Sequence, residues 1–188
     1  MCGICGIFNF DQQLVDEETL RKMNHALIHR GPDGEGYYID RNVGLGHRRL
    51  SIIDLERGKQ PMGNEDGSIQ VVFNGEIYNF LELKKELEAK GYRFRTRSDT
   101  ETVVFGYQEW GKDFVQKLRG MFAIALWDSK KRTLLLVRDR IGKKPLYYYL
   151  GKDRLVFASE LKALILDKKV PKEIDQNALD AYLSFGYV

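Results

Sequence analysis

Cysteine, histidine and proline are all scarce in this chain of 188 residues, which holds two, three and four of them. Both cysteines, Cys2 and Cys5, fall in the first five positions. That excludes a disulfide framework and fits a reducing, cytoplasmic setting. Long apolar runs are missing too: stretches such as Met121 to Trp127 fall far short of the roughly 20 residues that cross a bilayer. No segment of signal-peptide form precedes Cys2. Charge of one sign is absent, since 30 Lys+Arg stand against 27 Asp+Glu and the two are interspersed, so neither nucleic acid nor a membrane surface is expected as partner. With no low-complexity tract, repeat or visible linker, residues 1–188 are read as one domain, large enough to bury a substantial core.

What the chain does have is an unusual beginning, Met1-Cys2-Gly3-Ile4-Cys5-Gly6-Ile7-Phe8. Removal of Met1 would leave Cys2 with a thiol and the free α-amine on one residue. A thiol near pKa ~8.5 and an α-amine near ~7.7–8.0 can exchange a proton at neutral pH, so no histidine is required for nucleophilic catalysis. Termini ordinarily fray, yet Ile4, Phe8 and Phe10 alternate with Cys5 and Ile7 in the pattern of a buried strand. Cys2 and Cys5 also spell C-x-x-C. On a strand, residues three apart face opposite sides with Cα atoms ~10 Å apart, beyond the ~7 Å reach of a disulfide. No second C-x-x-C accompanies them, so no metal is expected and Cys5 is read as a core residue.

Further on, Asp16 caps a helix whose Leu20, Met23 and Leu27 share a face. Strands are expected over Gly36–Asp40 and Val43–Asp54, and over Ile69–Phe73, where Asn74-Gly75-Glu76 stops the run. Asn79 with Glu82 opens a second helix whose buried stripe is Phe80, Leu83 and Leu87. Ser98 with Glu101 forms a capping box for a third, and Phe114 to Leu118 suggests a short fourth. Met121–Asp128 and Thr133–Asp139 read as a hairpin, as do Leu146–Leu150 and Leu155–Ser159. Glu160–Leu166 and Ala178–Phe185 read as helices. Antiparallel strands with helices gathered between them imply an α+β domain.

Three polar clusters lie at strand ends, where loops present functional groups. His47-Arg48-Arg49 is either a solvated edge or a guanidinium fork for a carboxylate. Asn74-Gly75-Glu76 is by default a turn, although a side-chain amide followed by a glycine N–H also has the makings of an oxyanion hole. Ser98-Asp99 caps a helix and can hold an ammonium. A free amino acid with a side-chain amide satisfies all three clusters together with a thiolate, and glutamine and asparagine are tied on these grounds.

The start of the chain, His29-Arg30-Gly31-Pro32-Asp33-Gly34, Gly46 to Asp54, Phe73 to Asn79, Ser98-Asp99-Thr100-Glu101 and Arg138 to Tyr148 together resemble the glutaminase domain, a class II glutamine amidotransferase, of glutamine-hydrolysing asparagine synthetases. The resemblance covers essentially the whole chain. It implies an N-terminal nucleophile hydrolase fold, a four-layer α-β-β-α sandwich of two antiparallel sheets. It further implies Cys2 as nucleophile and base, and Asn74 and Gly75 as the oxyanion hole. Arg49 would take the glutamine α-carboxylate, Glu76 and Asp99 its α-amine, with the main chain of Leu50, Ser51, Ile52 and Ile53 lining the pocket. The implied reaction releases ammonia and glutamate through a γ-glutamyl thioester and needs no cofactor. ATP and Mg belong to an absent synthetase domain or a separate acceptor subunit, and the resemblance leaves room for a homodimer. His29 and His47 are read as structural hydrogen-bonders beside the pocket.

Other readings stay open. A retained Met1 would leave an acylated nitrogen that is no base, and hence a non-catalytic glutamine-binding or regulatory module. The same module could serve another acceptor, such as a capsular sugar, or act on a different small amide.

Overall fold

The first strand, β1 (Gly3–Asn9), takes the middle of a sheet rather than its edge. In this computed structural model, which describes residues 1–51, 54 and 57–188, β1 pairs antiparallel with β3 (Val43–Arg49) on one side and β9 (Arg154–Ala158) on the other. The outer places go to β2 (Gly34–Asp40) and β8 (Tyr147–Leu150), giving the order β2-β3-β1-β9-β8. A second sheet has the order β4-β5-β6-β7, from β4 (Met62–Gly63), β5 (Ile69–Ile77), β6 (Gly120–Asp128) and β7 (Thr133–Arg138). All of the named strand pairs are antiparallel.

The period-two alternation of these strands sorts their side chains into three apolar layers. Ile4, Val43, Leu45 and Phe157 meet Val72, Ala123, Ala125 and Trp127 between the sheets. On the far side of the first sheet, Cys5, Ile7, Val156 and Ala158 pack under Leu20, Met23 and Leu27, from α1 (Glu17–His25) and the turn after it, and under α5 (Leu161–Leu164). On the far side of the second, Val71, Phe73, Ile124 and Leu126 pack under α2 (Phe80–Ala89), α3 (Asp99–Trp110) and α4 (Phe114–Lys117). The result is the α-β-β-α sandwich expected. A last helix, α6 (Gln176–Phe185), contributes no buried side chain.

Several local expectations are corrected. β5 does not stop at Asn74-Gly75-Glu76 but continues to Ile77, with Asn74 opposite Ala123, Gly75 opposite Phe122 and Glu76 opposite Met121. A ladder partner over the whole length outweighs the turn preference of Asn-Gly. The strand read over Val43–Asp54 ends at Arg49, where β1 begins opposite Arg48 and β2 opposite Arg49; Leu50, Ser51 and Asp54 are not in a strand, and Ile52 and Ile53 lie outside the described residues. Asn79 makes no side-chain cap; its side chain instead joins Lys117 O and Arg119 N, at 3.0 and 2.9 Å. Ser98 caps α3 through Thr100 N, but Glu101 reaches past it to the N–H groups of Arg95 and Thr96, so the reciprocal half of the capping box is not made. The helix read over Glu160–Leu166 is confined to Leu161–Leu164.

Packing between neighbouring strands of the first sheet leaves no room at Gly6, where an added β-carbon would lie 2.4 Å from the Phe157 ring on β9 and 2.6 Å from Gly44 O on β3. Gly6→Ala is therefore expected to cost about 1–3 kcal/mol through overpacking, seen as a drop of several degrees in thermal midpoint. An unchanged midpoint would mean the two strands are not so tightly apposed.

Candidate active site

The register that pairs Gly3 with Arg48 brings Cys2 to the end of β3, beside Leu50, at an open end of the sandwich. Leu45, His47 and Arg49 alternate onto the face of β3 that looks toward the second sheet. Leu50 N donates to Cys2 Sγ at 3.4 Å, and the thiol lies 3.8 Å from Leu50 O. Arg30 Nε donates to Cys2 O at 3.0 Å while its Nη1 is held by Glu160 Oε1 at 2.9 Å. His29 Nε2 meets the same Glu160 oxygen. Burial would raise the Glu160 carboxyl, but the hydrogen bonds from Arg30 and His29 hold it well below the ordinary carboxylate range.

A cavity of about 260 Å³ opens here, lined by Cys2, Arg49, Leu50, Asn74, Gly75, Glu76 and Asp99. Residues remote in sequence and predicted for one pocket thus share one. Burial pushes the Cys2 thiol up; the Leu50 hydrogen bond, the chain's positive terminus and Arg49 oppose this, and Asp99 adds to it. Asn74 is 1% exposed, and its Nδ2 is buried with no hydrogen-bond partner among the described residues. Such an unused buried donor is costly unless something occupies it. Arg49 is buried and one of its guanidinium nitrogens donates to Asp54 O at 2.6 Å. Glu76 is exposed at the mouth.

Gly75 has a packing requirement that the sequence reading did not include. A β-carbon there would meet Met121 O at 2.2 Å and Phe122 Cα at 2.7 Å, so the approach of strand β6 by itself demands the glycine. Ser51 does not line the cavity; its N–H donates to Asp33 Oδ2 at 2.7 Å. Ile52 and Ile53 lie outside the described residues. Arg48 turns the other way, to Asn24 O and Glu35.

Asp99 sits in the first turn of α3, its Oδ2 accepting Ile77 N at 2.9 Å. Burial, with the Glu76 charge as a further contribution, raises its carboxyl to about 6. His47 bridges the sheets beneath the cavity, Nε2 to Phe73 O at 3.3 Å, and burial drives its pKa down to about 3, so it is neutral at physiological pH. It is structural, as expected; His29 acts at one remove, through Glu160.

The sequence reading missed three residues. Arg30 fixes the Cys2 carbonyl. Gln60 ties Phe73 N to Thr100 Oγ1 at the cavity wall. Lys144 lines the cavity beside Met1. None carries a local signal beyond its place in a recognised block or a polar loop. The spacing His25-x-x-x-His29, also passed over, makes no metal centre with the cysteines: among the described residues no group of His, Cys, Asp and Glu is placed to hold a metal ion. Nor, among them, is any helix long and apolar enough to cross a membrane.

A four-layer sandwich with a cysteine at the head of a central strand has the architecture of the N-terminal nucleophile hydrolases. The solved glutamine phosphoribosylpyrophosphate amidotransferase from B. subtilis matches it with a TM-score of 0.74 over 88% of this chain and 43% of its own, at 23% identity. The chain belongs to the family described as the glutamine amidotransferase domain, whose sequence model matches residues 1–188. Among curated proteins it is 48% identical over 191 residues to glutamine-hydrolyzing asparagine synthetase 1 of Bacillus subtilis (strain 168), covering 100% of this chain and 30% of the relative. It is 41% identical over 167 residues to asparagine synthetase B of Escherichia coli (strain K12), covering 88% and 30%. The chain spans about a third of the length of such relatives.

The raised Asp99 carboxyl has a consequence for stability. Between pH ~4 and about 6 the folded state keeps a proton that the unfolded chain has lost, so stability falls as pH rises through that window and stays reduced above it. Asp99→Asn should therefore raise stability at neutral pH, on the order of 1–2 kcal/mol after the lost helix-start charge is allowed for. The two proteins should converge below pH ~4; denaturant melts with a constant difference at every pH would contradict the assignment.

Proposed function

We propose that this chain hydrolyses L-glutamine to L-glutamate and ammonia through a thioester on Cys2. The observation that carries the proposal is the shared cavity, in which a thiol, an unpartnered buried amide donor, a guanidinium and two carboxylates converge. These are the complements of an electrophilic amide carbonyl, a carboxylate and an ammonium.

With Met1 removed, the Cys2 amine takes the thiol proton and the sulfur attacks the side-chain amide carbon. Asn74 Nδ2 and Gly75 N–H receive the oxygen as it becomes anionic. The protonated amine passes its proton to the departing nitrogen, which leaves as ammonia. The same amine then activates a water to hydrolyse the thioester. Arg49 takes the α-carboxylate, and Asp99 with Glu76 the α-ammonium, which fixes the distance from the anchored end to the reacting carbon. Glutamine rather than asparagine is the reading supported by the family and by the names of the relatives. The half-reaction uses no cofactor. The relatives' names support asparagine as the final product, formed from aspartate, with ATP and Mg required only by a synthetase region or acceptor subunit beyond these residues.

The test is glutamate release by the purified chain, with an intact mass on the same sample to establish the state of Met1. Turnover by the Met1-free form, abolished in Cys2→Ala, is expected; binding of glutamine without turnover in that form would favour the regulatory module. Asn74→Ala should lose ~100- to 1,000-fold in kcat, about 2.7–4 kcal/mol of transition-state stabilisation, and an unchanged rate would remove Asn74 from the oxyanion hole. Arg49→Ala should raise KM more than it lowers kcat; normal kinetics would show that the carboxylate is held elsewhere.

A further inference from the structure

Lys144 ends a stretch, Arg138-Asp139-Arg140-Ile141-Gly142-Lys143, to which the proposed reaction gives no part. The loop that carries it is fastened through its main chain. Asp139 is buried, and its carboxylate accepts the N–H groups of Phe122, Lys143 and Lys144 at 3.2, 2.8 and 3.0 Å. Arg138 Nε donates to Lys144 O at 2.8 Å and Nη2 to Gly142 O at 2.7 Å. Since Phe122 pairs with Gly75, this anchoring sets Lys144 at the end of the cavity where Cys2 and Gly75 lie.

The Lys144 side chain is unusual in what it lacks. The residue is 7% exposed, and the hydrogen bond its Nζ makes is to Met1 Sδ, at 3.3 Å. A thioether is a weak acceptor, and among the described residues no carboxylate stands within ion-pairing distance of Nζ. Burying an ammonium on such terms is costly unless the site itself uses the charge. Met1 is joined to Cys2 N, and bond lengths keep its sulfur within roughly 6 Å of that nitrogen, so Nζ lies no more than about 9 Å away. Removal of Met1 takes away the thioether and leaves the lysine facing the new terminus.

We propose that Lys144 is a positioning residue that acts through Cys2, supplying a fixed positive charge that favours a neutral α-amine and an anionic sulfur. The inference rests on Cys2 being the nucleophile. Among the described residues, the other charged groups facing Cys2 are Arg49 from β3, Glu76 from β5, Asp99 from α3, and Arg30 on the Cys2 carbonyl with Glu160 and His29 behind it. Bound glutamine would neutralise Arg49 with its carboxylate and one of the two carboxylates, Asp99 and Glu76, with its ammonium, which leaves a single negative charge at the anchored end. Arg30 is already answered by Glu160. Lys144 then remains as the positive charge at the reacting end with no ion-pair partner of its own among the described residues. At about 9 Å and an effective dielectric near 20, one such charge displaces a neighbouring pKa by about one unit.

The experiment compares the chain with its Lys144→Met and Lys144→Arg variants, each free of Met1 by intact mass. Two profiles are read from about pH 5 to about pH 10: kcat/KM for glutamate release, and the rate at which iodoacetamide alkylates Cys2, assigned by peptide mass. In Lys144→Met the acid limb of both should move up by about one unit, so that kcat/KM drops about tenfold on that limb and recovers at alkaline pH. Lys144→Arg should keep the original limb. A limb that does not move, a loss equal at every pH, or an arginine variant that behaves like the methionine one would overturn the proposal. Should the unaltered chain release no glutamate while the alkylation limb still moves, the glutaminase reading falls and the effect of Lys144 on the thiol stands. Turnover with both limbs unmoved would do the reverse.

Discussion

The placement of the chain's first strand between two neighbours is the constraint on which the rest of the structure depends. A terminal segment at a sheet edge would be free to fray. Here Ile4 donates to Ser159 Oγ and accepts from Ser159 N, and the ladders with β3 and β9 engage the strand on both sides. The entropy lost in ordering these residues is offset by complete burial of Ile4 and Cys5 and near-complete burial of Ile7. Arg30 extends the restraint one residue further by holding the carbonyl of Cys2. A thiol two atoms from a freely moving chain end could not meet a fixed amide donor; this one is held to a rigid strand.

The cavity trades stability for readiness. Asn74 presents a buried donor that no described residue uses, Asp99 is ionised at neutral pH against the resistance of its surroundings, and Lys144 rests on a thioether. Each is unfavourable before a ligand arrives, and together they form a polar surface that need not reorganise when one does. The neutral imidazole of His47 joins the two sheets directly below, so the groups above it rest on a support whose charge does not change at physiological pH.

Much of the architecture was legible from periodicity alone, because strands buried on both faces and helices with one apolar stripe leave distinct patterns. The misreadings have particular causes. Asn74-Gly75 has the local chemistry of a turn, but β6 runs alongside it and holds it extended, a long-range contact that no window of sequence reports. Leu50 follows β3 directly as a further apolar residue, yet the ladder ends where its neighbours begin. Cys2 invited a chemical reading by its position, and Arg49, Asn74 and Asp99 stood out as polar insertions whose functional readings the resemblance sharpened. Arg30, Gln60 and Lys144 reach the site only because the fold brings their segments together. Gly75 was singled out for its N–H alone, and the second demand on it, a missing β-carbon that makes room for a strand, is a long-range contact the sequence does not show.

The two sulfurs of Cys2-x-x-Cys5 end up in separate compartments. Cys2 opens into the cavity, while Cys5 lies fully buried beneath α1, its thiol 4.0 Å from Asn24 Oδ1 and driven far above the usual range by burial. In redox terms the pair is therefore no dithiol. An oxidised Cys2 has no resolving partner within the folded chain, so a sulfenic acid formed there would persist until an external thiol captured it, and recovery from oxidation would depend on the surrounding thiol pool rather than on an internal disulfide.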